Sequence, residues 1–306
     1  IGVNLQPNNP QGLPDPAQLG TIRWVRLVYN VSFDPVDGTY GNLDVNAAYE
    51  HYHSAIERYA NAGYRVMLVF NHQTYGEGQG WNWYEITPAD WLKFTNKFAL
   101  MAGQIAGQYA QDHLVDAYQI WQEPDSPQSA VSVSMPAASY ADVLKESTLT
   151  IRAALQEAND DAVILTAGLI SGPDQAANYL DTVLTTMGDV RPDGVAFHPY
   201  GRGAQPGPLA SFGTIGESIR ALQAVAPDLP LWITEWGVAQ PPDSVEGEAV
   251  ADYAWDVIEN LQTDYAGQVE AAIWFAWADS GFDAYGVVDE NGTPREPLYS
   301  VLATWN

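Results

Sequence analysis

The feature that most limits the fold is an alternation. Eight short apolar runs recur along the chain: Ile1–Asn4, Thr21–Tyr29, Tyr64–Phe70, Tyr118–Trp121, Ala162–Ala167, Gly194–Phe197, Leu231–Thr234 and Val269–Trp277. Between them lie longer stretches whose apolar residues recur near a 3.6-residue period, with helix signals such as Thr87-Pro88-Ala-Asp90 at a start and Gly63 at a stop. Strands joined by helices run parallel, and a parallel sheet needs both faces covered. Eight such units predict a (β/α)8 TIM barrel. A doubly wound open sheet is the main alternative, but no glycine-rich phosphate loop follows the first run. The reading is α/β, with residues 1–306 forming a single barrel domain.

A barrel brings the C-terminal tips of its strands to one face, where residues far apart in sequence meet. Two tips stand out. Tyr118-Gln-Ile-Trp-Gln-Glu-Pro-Asp125 carries Glu123 just before Pro124, and Leu231-Trp-Ile-Thr-Glu-Trp-Gly237 carries Glu235. Proline biases the preceding residue towards extended backbone, so Glu123 is expected to end its strand in that geometry. The other tips offer Arg26, His72, His198, Tyr200 and Trp277, with Trp236 beside Glu235. One carboxyl can protonate a leaving oxygen while the other attacks an anomeric carbon or activates water, which is the set that glycoside hydrolysis needs. Trp232 and Trp274 are read as packing in or behind the barrel, and Arg23 competes with Arg26 for the buried role.

Composition narrows the ligand. Twelve Lys plus Arg against 38 Asp plus Glu leave a formal charge of −26, which repels phosphate backbones and anionic lipid, so neither nucleic acid nor membrane is expected as a partner. Eleven Trp and seventeen Tyr suit the flat, amphipathic faces of sugar rings, making carbohydrate the favoured substrate. No cysteine is present, so thiol nucleophiles and thiolate metal sites are excluded. The strand tips lack a cluster of histidine ligands, so neither metal nor cofactor is expected. A monomer is expected. The chain opens at Ile1 directly in a strand-like run, which a removed secretion signal would explain, so an extracellular or cell-surface location is expected.

With these motifs the chain resembles a clan A glycoside hydrolase, the barrel group of family five cellulases, mannanases and many β-glycosidases. The resemblance implies that Glu123 is the acid/base and Glu235 the nucleophile of a retaining β-glycoside hydrolase. It implies that Arg26 braces the nucleophile, that Tyr200 hydrogen-bonds it, that His198 lines the sugar site and that Trp277 stacks under the ring. His72 and Trp236 are further substrate-binding candidates, and the aromatic loop Tyr75 to Tyr84 is a candidate subsite wall or lid. The clan usually has Asn before the acid/base, holding the sugar 2-hydroxyl; here Gln122 takes that position, one methylene longer. A retaining mechanism requires carboxyl groups about 5 to 5.5 Å apart, and inversion roughly 6.5 to 9.5 Å. It also requires Glu123 protonated at rest, which the charge of Glu235 would favour. A carbohydrate-binding barrel without catalysis is the rival reading.

Overall fold

The computed structural model describes residues 1–34, 39–128, 132–239, 247–280 and 284–305. Eight parallel strands make the barrel: β1 Gly2–Asn4, β2 Trp24–Val28, β3 Arg65–Phe70, β4 Ala117–Ile120, β5 Val163–Leu165, β6 Val195–Phe197, β7 Leu231–Trp236 and β8 Val269–Trp274. They pair in the order β5-β4-β3-β2-β1-β8-β7-β6. The remaining seam, β5 to β6, is closed only by single bridges, Leu165 with Gly194 and Leu169 with Phe197. The barrel is therefore nearly closed, and the β5–β6 seam is its weakest edge. A short antiparallel pair, Phe33–Asp34 with Thr39–Tyr40, lies outside it.

Helices α1 Val45–Asn61, α2 Pro88–Ala110, α3 Ala137–Ala158, α4 Pro173–Met187, α5 Ile215–Val225, α6 Gly247–Thr263 and α7 Leu298–Ala303 surround the strands. Local chemistry sets their ends. Thr87 accepts the Asp90 N–H at the start of α2, and at α5 Thr214 and Glu217 form a reciprocal capping box. In α2, Trp91, Phe94, Phe98, Ile105 and Tyr109 recur on one buried face. Phe94 and Phe98 pack against Trp121 with ring centroids 5.6 and 5.5 Å apart. That seals the wall behind β4. No described helix is long and apolar enough to cross a membrane.

The barrel interior follows the two-residue period of its strands. Trp24, Met67, Ala117, Leu165, Ala196, Trp232, Ala271 and Ile273 form an apolar floor in which Trp24 and Trp232 meet edge to face at 5.2 Å. Two residues further along four of these strands the inward positions turn polar: Arg26 after Trp24, Gln119 after Ala117, His198 after Ala196 and Thr234 after Trp232. Arg26 is wholly buried whereas Arg23 is exposed. The strand period decides between them.

Candidate active site

Each carboxylate is delivered by an irregularity at the end of its strand. At β4, Trp121 and Glu123 adopt positive φ angles of 76° and 49°. Glu123 is thus not in the extended geometry that Pro124 favours. Left-handed backbone at non-glycine residues costs of order 1–3 kcal/mol each, so the surroundings must hold it. Trp121 N–H donates to Phe70 O at 2.6 Å, its indole donates to Val133 O at 3.0 Å, and Glu123 N–H donates to Gly168 O at 3.1 Å. At β7, Ile233 pairs with Ala272 but Trp236 pairs with Trp274, so three β7 residues face two on β8. This bulge lets the consecutive residues Thr234 and Glu235 both reach the site, and it turns Trp236 outward.

Arg26, Glu123, His198, Tyr200 and Glu235 meet in one network. Arg26 Nη1 lies 2.7 Å from Glu235 Oε1, an ion pair with both side chains almost fully buried. The aligned hydrogen bond from that nitrogen goes to Asn4 Oδ1 at 2.7 Å, and Glu235 Oε1 accepts no aligned bond. The Arg26–Glu235 contact is therefore mainly Coulombic. Tyr200 OH donates to Glu235 Oε2 at 3.0 Å, and burial followed by the charges of Glu235 and Glu123 keeps this phenol protonated. His198 Nδ1 lies 2.8 Å from Glu123 Oε1 and 3.8 Å from Glu235 Oε2, while its Nε2 lies 3.1 Å from Thr234 Oγ1. Ser132 Oγ donates to Glu123 Oε2 at 2.8 Å. A carboxylate oxygen of each glutamate and a ring nitrogen of His198 all lie within 4.8 Å of one another.

The proton state expected for Glu123 is corrected. Burial pushes its carboxyl up, but the His198 hydrogen bond and charge, the Ser132 hydroxyl and the Arg26 charge outweigh it and hold it below the usual carboxylate range. Ser132 Oγ donates to one of its oxygens and the His198 ring lies at hydrogen-bond distance from the other, contacts that favour the ionised form. The triad of Glu123, His198 and Glu235 has ligand atoms that a divalent cation accepts. Against that, Arg26 already neutralises Glu235 at contact distance and His198 Nδ1 is committed to Glu123.

The aromatic expectations fare differently. Trp236 is fully buried, at 4.8 Å from Trp274 and 6.0 Å from Tyr253 of α6, so it packs behind the barrel and offers no face to a sugar. Trp277 is 2% exposed with its ring 6.1 Å from Tyr299 in α7, so it too is core. Past Trp274 the chain leaves the regular ladder, and the half-buried Phe275 instead lies 6.5 Å from Tyr200 and 5.8 Å from Tyr285. His72 is 5% exposed, 6.2 Å from both Trp83 and Trp121, and burial lowers its pKa to about 4, so it is a neutral ring at the pH of most carbohydrate chemistry. Gln122 is half-buried; its backbone bridges to Gly168, and its side chain makes no hydrogen bond among the described residues. In the aromatic loop, Trp83 donates to Glu77 at 3.1 Å and packs on Phe94, so this segment is a braced wall.

A sequence profile of the glycosyl hydrolase catalytic core family matches residues 47–298, most of the chain and both glutamates. The chain belongs to that family. No curated protein matches this glycosyl hydrolase. Among solved structures it is similar to a family 5 xyloglucan-specific endo-β-1,4-glucanase from a metagenomic library, with 14% identity, a TM-score of 0.68, and coverage of 100% of this chain and 96% of that one. It is similar to a triple mutant of an endo-β-1,4-glucanase from Xanthomonas axonopodis pv. citri at 14% identity and TM-score 0.64, covering 99% and 97%. A family 39 glycoside hydrolase from the gut symbiont Bacteroides cellulosilyticus WH2 matches at 16% and 0.64; this chain is covered at 99% but spans only 63% of that enzyme. These likenesses concern the barrel, and with the family match they agree with the clan A resemblance of the two glutamate motifs.

Three residues that hold the network went unread in the sequence: Ser132, Thr234 and Gly168. Ser132 sits in a serine- and valine-rich stretch with no pattern to single it out. Thr234 was legible, because it lies two residues after the inward Trp232. Gly168 is where a side chain is forbidden: a Cβ there would stand 1.9 Å from His198 Nε2. Gly168→Ala must displace that ring and with it the donor to Glu123. We expect hydrolysis to fall at least tenfold while far-ultraviolet circular dichroism stays native; unchanged kinetics would show that His198 does not organise Glu123.

Proposed function

We propose that this glycosyl hydrolase cleaves β-linked oligo- or polysaccharides with retention of anomeric configuration. The observation that carries the reading is the approach of the two carboxylates to within 4.8 Å. That one oxygen of each carboxylate comes so near the other favours the close pair of a retaining enzyme, about 5 to 5.5 Å between carboxyl groups, over the roughly 6.5 to 9.5 Å of an inverting one. In the first step Glu235 attacks the anomeric carbon to form a glycosyl ester, and Glu123 gives its proton to the departing oxygen. Water then attacks that ester, Glu123 takes a proton from it, and Glu235 leaves as carboxylate. Arg26 and Tyr200 hold Glu235 in an anionic, oriented form.

A neutral carbohydrate suits a chain of charge −26 better than a uronic or sulfated one. A cavity of about 440 Å³ at the ends of β1 and β8, lined by Gln6, Asn8, Asn9, Asp279, Ser280 and Glu290, offers carboxamides and oxygens to sugar hydroxyls. Neither this cavity nor a second one, near 400 Å³ between residues 203–210 and α6, is lined by Glu123 or Glu235. Labelling with 2-deoxy-2-fluoro β-glycosides followed by peptide mass spectrometry tests the reading. Label on Glu235 is expected; label elsewhere, or tight oligosaccharide binding without labelling or turnover, would favour the non-catalytic barrel.

The proton state of Glu123 adds a pH expectation. Its carboxyl is held below the usual carboxylate range, and only its protonated form can serve the first step, so activity is present at low pH and lost as pH rises through that group. The basic limb of kcat/KM is expected in the acidic range. A basic limb at neutral or higher pH, measured on an activated aryl glycoside, would contradict it.

A further inference from the structure

Among the described residues, Phe212 is the one exposed aromatic side chain on the loops after β4, β5 and β6. It is 70% exposed, so it buries too little surface to hold the fold, and yet its loop is fixed. Phe212 N–H donates to Gly201 O at 2.9 Å, Gly213 N–H to Ala210 O at 3.2 Å and Ile215 N–H to Gly203 O at 2.9 Å, so the segment closes on itself between Gly201 and Ile215. The ring rests on Gly201, whose φ is 69°, and a Cβ there would stand 2.5 Å from Phe212 Cδ2. A single exposed phenylalanine is ordinary on a protein surface. This one is held on a closed loop, is backed by a glycine where nothing larger fits, and leaves most of its ring to solvent.

The place of the ring gives it a use. With Glu123 protonating the departing oxygen, the leaving part of the substrate lies on the Glu123 side of the site. That side is the rim after β4, β5 and β6: Glu123 follows β4, its N–H donates to Gly168 O after β5, and its carboxylate lies 2.8 Å from His198 just past β6. The loop that carries Phe212 starts from the same stretch, His198-Pro-Tyr200-Gly201, and Tyr200, the residue beside Gly201, donates to Glu235. We infer that Phe212 is the platform on which a sugar of the leaving group stacks, beyond the cleaved bond. The apolar face of a sugar ring suits an aromatic ring and asks for no charge, in keeping with a neutral substrate. The substrate is then a chain that continues past the bond cut, an oligo- or polysaccharide, rather than a glycoside of a small alcohol. The inference rests on the two-glutamate reading, which assigns the leaving-group side.

Sugars on the two sides of the cleaved bond can be varied separately. The β-fluorides of a mono-, di- and trisaccharide keep every sugar on the side that Glu235 attacks, whereas free oligosaccharides place sugars on both sides; the cello-, manno- and xylo-series serve as probes. Phe212→Ala is expected to keep the wild-type Tm and to lower kcat/KM on the oligosaccharides about tenfold relative to the fluorides. Phe212→Trp is expected to restore the oligosaccharide rate, and Phe212→Leu, apolar but without a flat face, to leave it low. An equal loss on the fluorides, no loss on either, or full activity in the leucine variant overturns the inference. Calorimetric binding of the same oligosaccharides to Glu235→Gln, with and without Phe212→Ala, separates the inference from the proposed function. If Phe212→Ala weakens binding about tenfold while the wild type hydrolyses none of the probes, Phe212 stands as a sugar platform and the proposed function falls. If the wild type hydrolyses the oligosaccharides and Phe212→Ala does so equally well, the function stands and the inference falls. A wild type that neither cleaves nor binds them overturns both.

Discussion

Replacing Glu235 by alanine is expected to lower kcat by roughly 10⁴-fold or more, since losing a covalent nucleophile forfeits the step it divides. The side chain is 4% exposed and lies in a preformed cradle of Arg26 and Tyr200, so its removal leaves a small anion-binding hole. Azide should enter that hole and restore turnover. The stereochemistry of the product then assigns the roles. Azide attacking from the Glu235 side inverts the substrate once and gives the α-glycosyl azide. In Glu123→Ala the ester still forms from an activated substrate, azide attacks it from the opposite face, and the β-glycosyl azide results. Both configurations follow only if Glu235 is the nucleophile and Glu123 the acid/base. A β-azide from Glu235→Ala, or a kcat near wild type, would sink the assignment.

Parity along a strand explains both what was legible in the sequence and what was not. Eight apolar runs separated by periodic helices predict the barrel, and the observed strands fall within the predicted ones apart from Ala117 at the start of β4 and Glu235 and Trp236 at the end of β7. Within regular strands the two-residue period also sorts side chains, which is why Arg26 rather than Arg23 is buried beside Glu235. Where the ladder is irregular that logic stops. The β7 bulge sends Trp236 outward although Glu235 reaches the site, and beyond Trp274 the chain seats Phe275 near Tyr200 while Trp277 joins the core. Proline's local preference likewise lost at Glu123, because hydrogen bonds to Gly168 and around Trp121 outweigh it. The direction in which the Glu123 carboxyl is shifted could not be read at all, since it depends on Ser132, nine residues away on a loop, and on His198, seventy-five away just past β6.

Arg26→Met is expected to have the largest effect on stability. Arg26 is fully buried and is the cation beside Glu235, and removing one partner of a buried ion pair costs about 3–5 kcal/mol because the other charge is stranded. Methionine fills much of the space without the charge, so most of the loss is electrostatic. For a chain of this size that corresponds to a fall in Tm of roughly 10 °C. Glu235→Gln removes the stranded charge, and Arg26→Met with Glu235→Gln should be less destabilised than the sum of the two single changes, a coupling that urea unfolding of all four proteins measures. Additive losses would mean that Arg26 holds the barrel through Asn4 Oδ1 and Gln119 Oε1 rather than through the charge of Glu235.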